Sequence, residues 1–342
     1  MYGMRLRHRG PVRDDRRMYR LEICSPSART ADVLAVLDVL TASPYVTSLV
    51  VHRGASLRPV GDTIAADVPR ETADGLVQAV LATGVQDQGA VHLNPVSTWV
   101  SRPAYAAMLE APGSSTDALV WPEVVQRSYD ETELNRTYLW FMTLATLIAA
   151  IAIRLDSQIL VIGAMVLGPE FVPVAALGVA LLRRRRTLLV QASRTLVIGF
   201  VVAILVTTLV TWIARYFGWV DVQDLLRPRP GTAFIYSPDR WSLVVSLIAG
   251  VAGVLSLASA RTGALVGVFI SVTTVPAAGN IAMALAFGVW SEVWGSSEQL
   301  LVNITGMAIA GALTLWVRET IWTRFTLRGR FTPRPKDDPR LA

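Results

Sequence analysis

Two hydrophobic patterns divide the chain near residue 137. Upstream, apolar residues alternate or recur in short amphipathic groups. Met18–Cys24 alternates as a strand does. From Ser27 the spacing predicts an amphipathic helix, with Val33, Leu34, Leu37 and Leu40 on one apolar face. Tyr45–His52 and Thr63–Val68 read as strands. Glu71–Ala82 reads as a helix carrying Leu76, Val77, Val80 and Leu81 at helical spacing and stopped by Gly84. Val91–Leu93 and its continuation make a fourth strand. The order β-α-β-β-α-β is the ferredoxin-like split motif, placed over residues 18–102 after a basic N-terminal segment, 1–17. Small regulatory domains of this shape bind metabolites or pair edge strands, and the fold alone establishes neither.

Residues 103–136 read as a linker containing Pro112-Gly113-Ser114-Ser115, followed by a charged amphipathic stretch, Val120–Asn135. That stretch either couples the N-terminal domain to the first apolar run or is a passive spacer. Beyond it the pattern changes to long uncharged runs: Thr137–Ile153, Ile159–Leu182 (interrupted only by Glu170), Thr195–Ala214, Trp241–Ala260, Thr262–Ser291 and Gln299–Val317. A helix needs about 20 apolar residues to cross a bilayer core, so six spans are expected over 137–317, with a basic tail at 318–342. The first run is short but opens on Tyr138, Trp140 and Phe141, the aromatic belt of an interface. The predicted fold class is therefore α+β, a ferredoxin-like domain followed by a polytopic helical membrane domain.

Composition agrees with this division. Apolar residues make up 52% of the 342 positions and charged residues 17%, against roughly 25% in soluble domains; mean hydropathy is +0.44. Residues 1–137 carry 14 Arg against 16 Asp and Glu, whereas 138–342 carry 18 Lys and Arg against 10. The basic excess lies beside apolar spans, which argues for membrane topology and against nucleic acid as a partner. Arg183, Arg184, Arg185 and Arg186, between spans two and three, are the topology signal and place that connection in the cytoplasm. Counting outwards puts the Arg261 connection and the tail with Arg318, Arg324, Arg328, Arg330, Arg334 and Lys336 on the same side. The turn between spans five and six, with Glu292 and Glu298 and no basic residue, falls outside; the Arg215–Arg240 connection, mixing Arg with Asp, votes weakly against this scheme. Both termini are then cytoplasmic, in a multi-pass protein of the cell (plasma) membrane, the bacterial inner membrane. The Arg run also suits anionic lipid headgroups, which is compatible with that topology. No apolar run precedes Met18, so no cleavable signal peptide is expected.

One cysteine, Cys24, excludes a disulfide framework, and His8, His52 and His92 have no metal-ligand spacing. No phosphate-binding glycine loop or nucleophile triad is present, so neither an enzyme nor a cofactor is expected. The chemistry lies in the interrupted spans. Span two reads IGAMVLGPEFVPVAALG, with Gly163, Gly168, Pro169, Glu170 and Pro173. Two prolines four apart should break or kink the helix, and the freed carbonyls need protein or a water-lined cavity. Glu170, near mid-span, must be protonated, paired, or exposed to water in the bundle interior; a neutral Glu bonded to a neighbouring helix is the plainer reading. Span five, GVFISVTTVPAAGNIAM, is interrupted at Thr273, Thr274, Pro276, Gly279 and Asn280; as one helix its 30 uncharged residues would extend about 45 Å, more than the bilayer core. Spans two and five occupy matching places in two three-span halves, the arrangement of an inverted repeat around a midplane site. Asn303 in span six, followed by Gly306 and Gly311, either faces a polar interior or holds two helices together. Arg154 and Asp156, between spans one and two, are an outer-edge charge pair or simple interfacial residues. Gly263/Gly267 and Ala249/Gly253 permit close helix contact.

These motifs resemble a known family. LDSQILVIGAMVLGPEFVPVAALGVAL, GALVGVFISVTTVPAAGN and QLLVNITGMAIAG are similar to the membrane proteins grouped as domain of unknown function 389, and the resemblance covers most of 137–317. The family pattern corresponds here to Asp156, Ser157, Gly163, Ala164, Met165, Pro169, Pro173, Pro276 and Asn303. Glu170 stands where many relatives carry an apolar residue, so a role for it is not implied by the resemblance. The family has no established substrate, and the resemblance implies a fold rather than an activity. From the residues themselves two functions are expected. One is a channel or secondary transporter for a small solute or ion, with its pathway near Glu170, Gly168, Pro169, Pro173, Thr273, Thr274, Pro276, Asn280 and Asn303. The other is a membrane-anchored sensor or assembly scaffold. Small interface residues and an exposed sheet edge suggest a homo-oligomer.

Overall fold

The computed structural model describes residues 17–26, 30–112, 118–232, 235, 240–258 and 274–327, in two compact units that divide between Glu123 and Val124. The first contains β1 (Met18–Pro26), α1 (Thr30–Ala42), β2 (Ser48–Leu57), β3 (Val60–Pro69), α2 (Arg70–Leu81) and β4 (Ala90–Val96). The four strands form one antiparallel sheet in the order β2-β3-β1-β4, the strand order of the expected split motif. Alternation sets the faces. Tyr19, Leu21 and Ile23 of β1 and Ile64, Ala66 and Val68 of β3 point into the core, while Arg20 points out and pairs with Asp67. Val36 and Leu40 of α1, with Val77 and Val80 of α2, close that face, each contributing about 1.5–3 kcal/mol by burial. Leu34, expected on the apolar face of α1, is 61% exposed, because Val33, Val36 and Leu40 already fill the stripe against the sheet. Between His52 and Ser56 a register shift bends β2, and Gly54 there adopts φ +63.

The expected linker holds two helices, α3 (Arg102–Glu110) and α4 (Trp121–Glu131). The Ser101 side chain accepts from the Ala104 amide and caps α3, whose Ala104 and Met108 pack on Met18, Val96 and Trp99. Residues 103–110 are thus part of the first unit's core rather than a tether. Gly113, Ser114 and Ser115 lie outside the described residues, as do Ser27 and the basic segment before Arg17. Arg70 fastens the following residues to the sheet. Its buried guanidinium donates to Tyr19 Oη at 2.7 Å and to the Ala118 carbonyl, and Tyr19 Oη donates to Glu123 at 2.7 Å. Burial pushes the Tyr19 hydroxyl well above the ordinary tyrosine range.

The second unit, Val124–Ile321, is helical: α5 (Arg136–Arg154), α6 (Gln158–Leu167), α7 (Phe171–Leu182), α8 (Arg186–Tyr216), α9 (Val222–Leu226), α10 (Arg240–Ala258), α11 (Thr274–Phe287) and α12 (Trp290–Leu327). Among the described residues three helices, α5, α8 and α12, are long and apolar enough to cross a membrane, and four spans result if the bent pair α6–α7 is one. The six expected spans are not all recovered. The described part of α11 has 14 residues, about 21 Å of helix, and by itself is short of a bilayer core. Residues 259–273, which hold Arg261, Gly263, Gly267 and Thr273, lie outside the described residues. Large apolar side chains face outward along α8 (Val197, Val201, Leu205, Leu209), the reverse of a soluble bundle, and the apolar helices point to a membrane protein.

Helix boundaries depart from the uncharged runs in two places. α8 begins at Arg186, well before Thr195, and the turn before it uses Arg184 at φ +50. The turn between α11 and α12 is at Gly288, φ +74, so Glu292 and Glu298 are helical residues of α12 and not turn residues.

Candidate functional site

The break in the second span is built by three residues. α6 ends at Leu167, and Gly168 leaves the helix with φ −66 and ψ 126. Pro169 has no amide hydrogen, so the Met165 carbonyl loses its helical donor. α7 then starts at Phe171 with a bend of 56° between the two halves. Pro173 does not add a second break. It sits in the first turn of α7, where a missing N–H interrupts no helical bond.

Glu170 is the residue before α7 and is 4% exposed. Its Oε1 accepts from Thr274 Oγ1 at 2.7 Å, which ties the break to α11. Its Oε2 has no hydrogen-bond partner among the described residues. The carboxyl folds back over Gly168: a Cβ there would collide with Oε2 and lie 2.7 Å from Val275 Cγ2. Phe171 is seated against Gly253 of α10, and Val275 packs with Ala145, Ala149 and Ala164. The geometry is that of the plainer reading of Glu170, a buried carboxyl hydrogen-bonded to a neighbouring helix.

A second polar cluster lies toward the α11–α12 turn. Arg229, with 1% of its side chain exposed, forms a two-pronged pair with Glu292 (Nη2 to Oε1 2.9 Å, to Oε2 3.0 Å) and donates to Asn280 Oδ1 at 3.1 Å. Asn280 Nδ2 donates to Glu292 Oε2 at 2.7 Å and to Ser296 Oγ at 2.8 Å. Nη2 shared between both carboxylate oxygens, together with the amide bridge, offsets part of the desolvation of both charges. Glu292, Ser296, Gln299 and Asn303 follow one another at helical spacing along one face of α12, and the last three are buried. This polar stripe extends about 16 Å along a helix otherwise suited to lipid. Sequence reading found Asn280 and Asn303 and missed Arg229, Glu292, Ser296 and Gln299; the i, i+4, i+7, i+11 spacing was the available signal.

Arg154 and Asp156 do not pair with each other. Arg154 Nε reaches Asp224 at 3.3 Å, and its carbonyl accepts from Arg227. Asp156, at φ +48, accepts from the Gly231 amide at 3.2 Å and from Thr232 Oγ1 at 2.9 Å. Both therefore pin the 217–232 connection onto the α5–α6 turn. Asp156→Ala is expected to release it, at about 1–3 kcal/mol, and to speed limited proteolysis there. Asp156→Asn, which tolerates the left-handed backbone and keeps an acceptor, should leave the cleavage rate near wild type.

The other end of the unit carries the Arg run. Arg183 pairs with Glu319 at 3.4 Å, while Arg184, Arg185 and Arg186 are exposed and form no ion pair among the described residues. Beside them the end of α4 is held on α8 through Tyr129 Oη with Thr187 Oγ1 (2.5 Å) and Thr195 Oγ1 to the Thr132 carbonyl (2.9 Å), leaving an open groove of about 820 Å³. No cluster of metal-ligating side chains occurs among the described residues.

The predicted site residues thus fall into separate groups. Gly168, Pro169, Glu170 and Thr274 come together at the break. Asn280 joins Arg229 and Glu292, Asn303 lies further along the α12 stripe, and Pro276 and Pro173 lie in first turns. Thr273 is outside the described residues.

Comparison with known proteins centres on these helices. An uncharacterised protein of Methanocaldococcus jannaschii is 22% identical over 194 residues, 57% of this chain and 58% of that protein, so the match spans little more than half of the relative's length. No solved structure matches the chain. Residues 165–309, which include Glu170, Thr274 and the whole Arg229 cluster, match the family described as "Domain of unknown function (DUF389)", and it is in this family that the resemblance of the helical unit lies.

Proposed function

We propose that the helical unit is a channel or secondary transporter for a small solute or ion, acting without chemical conversion of its cargo and regulated by the N-terminal domain. The observation that carries this reading is the buried Glu170 carboxyl at a broken helix, bonded to Thr274 of a second apolar helix, α11. A discontinuous helix with a polar group at its break is the construction of transporter sites. The α12 stripe, from Glu292 to Asn303, supplies polar lining in the same unit.

In this reading six spans form two inverted halves, and both termini are cytoplasmic. The Arg215–Arg240 connection no longer argues against that orientation. Arg229 is paired with Glu292, Arg227 shares Asp224 with Arg154, and Arg215 donates to the Ala286 carbonyl at 2.9 Å. The exposed Arg184, Arg185 and Arg186 are then the topological charges. The lipid bilayer and further copies of the chain are the partners.

Proteoliposomes carrying reporters for protons, alkali cations and small anions test the proposal. Glu170→Gln, which removes the titratable group, and Asn303→Ala, which removes a buried polar side chain, are each expected to lower a measured flux about tenfold or more. Flux unchanged in both variants would remove the assigned path. No flux of any species, with a ligand bound by the N-terminal domain, would favour the anchored sensor instead.

A further inference from the structure

We infer that Glu170 Oε2 is a proton-binding site, exchanging one proton with water beside the Tyr138 hydroxyl. As a coupling site it rests on the transport reading above; as a proton site it stands without transport.

Four observations lead there. Glu170 Oε1 is occupied by the Thr274 hydroxyl, which donates, so any proton on the carboxyl belongs on Oε2. Oε2 is buried with no partner among the described residues, and Tyr138 Oη is a second buried oxygen of the same unit in that condition. Tyr138 lies within electrostatic range of the Glu170 carboxyl and is held there by Gly199 of α8, where a Cβ would stand 2.6 Å from the ring. Finally, no fixed cation among the described residues answers Glu170. α11 presents Thr274 and Val275, α10 presents Gly253 to the neighbouring Phe171, and Tyr138 on α5 is the ionisable group within electrostatic range. The other buried or half-buried charges of the unit are matched elsewhere, Arg229 with Glu292, Arg183 with Glu319 and Arg154 with Asp224.

A lone carboxylate at this depth costs several kcal/mol, so one positive charge must accompany it. A hard metal cation takes six or more oxygens, whereas the described side chains bring one carboxyl and the hydroxyls of Thr274 and Tyr138. A proton needs a single oxygen, and Oε2 is the one that the Thr274 hydroxyl leaves open. In the exchange, the O–H bond of the acid breaks, its electron pair stays on Oε2, and the proton leaves on a water molecule. Tyr138 Oη, buried and without a partner among the described residues, is the polar atom we assign to the route of such a water.

The test is infrared difference spectroscopy, acid minus alkaline, on the full chain in lipid nanodiscs. A protonated-carboxyl C=O band is expected that shifts in deuterated buffer and vanishes in Glu170→Gln. In Thr274→Val the band should persist at higher frequency, since the hydrogen bond to the C=O oxygen is lost; this variant carries the test where Glu170→Gln fails to fold. Tyr138→Phe should keep the band and slow its deuterium exchange, and an unchanged exchange rate removes Tyr138 from the route. A band indifferent to both Glu170→Gln and Thr274→Val, or a carboxylate that stays ionised at every pH and answers to sodium instead, overturns the proton site. A titrating Glu170 band without flux would leave the proton site standing and remove the transport reading; flux without that band would do the reverse.

Discussion

Arg229→Ala is expected to destabilise the helical unit by about 3–5 kcal/mol, read as a loss of resistance to SDS or thermal unfolding in detergent. The reason is what it leaves behind. Glu292 faces the interior with both oxygens on Arg229 and one also on Asn280. Without the guanidinium that carboxylate is a buried charge answered only by an amide. Glu292→Ala should be comparably damaging, because Arg229 is the more deeply buried partner. Replacing both by apolar residues of similar volume, Arg229→Met with Glu292→Leu, is expected to recover most of the loss, since removing a buried pair is far less harmful than halving it. A double variant no more stable than either single one would show that the pair also orients the 217–232 connection through Asn280.

The second large effect is expected at Gly250. A Cβ on that residue would sit 2.5 Å from the Met307 carbonyl oxygen and 2.7 Å from its Cα, so the obstacle is backbone. Around it, Gly306 faces Ser246 and Gly311 faces Val254, giving a seam of small residues at helical spacing on α10 and α12. Gly250→Val must therefore push the two helices apart, at about 1–3 kcal/mol or more, and lower the apparent Tm in detergent. Gly163→Ala is the control. Nothing lies within 4 Å of its Cβ position, so it should leave the Tm near wild type.

Much of the molecule was readable from local chemistry. Alternation in Met18–Cys24 announced β1, Gly84 ended α2, and the Pro169 break followed from a proline lacking the donor that Met165 needs. Glu170 was conspicuous because it interrupts an otherwise uncharged run. Its partner was not readable: Thr274 is 104 residues away, and nothing nearby in the chain marks it as the donor. The Arg229–Glu292 pair was hidden for a different reason. Both residues lie outside the uncharged runs, and a run begun at Gln299 cuts the polar stripe of α12 in two. The helix starts at Trp290, after the Gly288 turn, and Arg229, 63 residues before Glu292, supplies the charge that lets that carboxylate face the protein. The same limit misplaced Leu34, since helical spacing defines a possible face and the sheet selects which part of it is covered.

The division follows the range of the forces. Strand alternation, apolar run length and the proline break depend on side chains within a few positions of one another, and those are written in order along the chain. Which carboxyl is left without a counter-ion, which arginine is spent inside the protein, and which glycine touches a foreign backbone depend on groups brought together from distant positions. Burial makes those contacts strong, because a polar group removed from water must find its partner in whatever the fold places beside it.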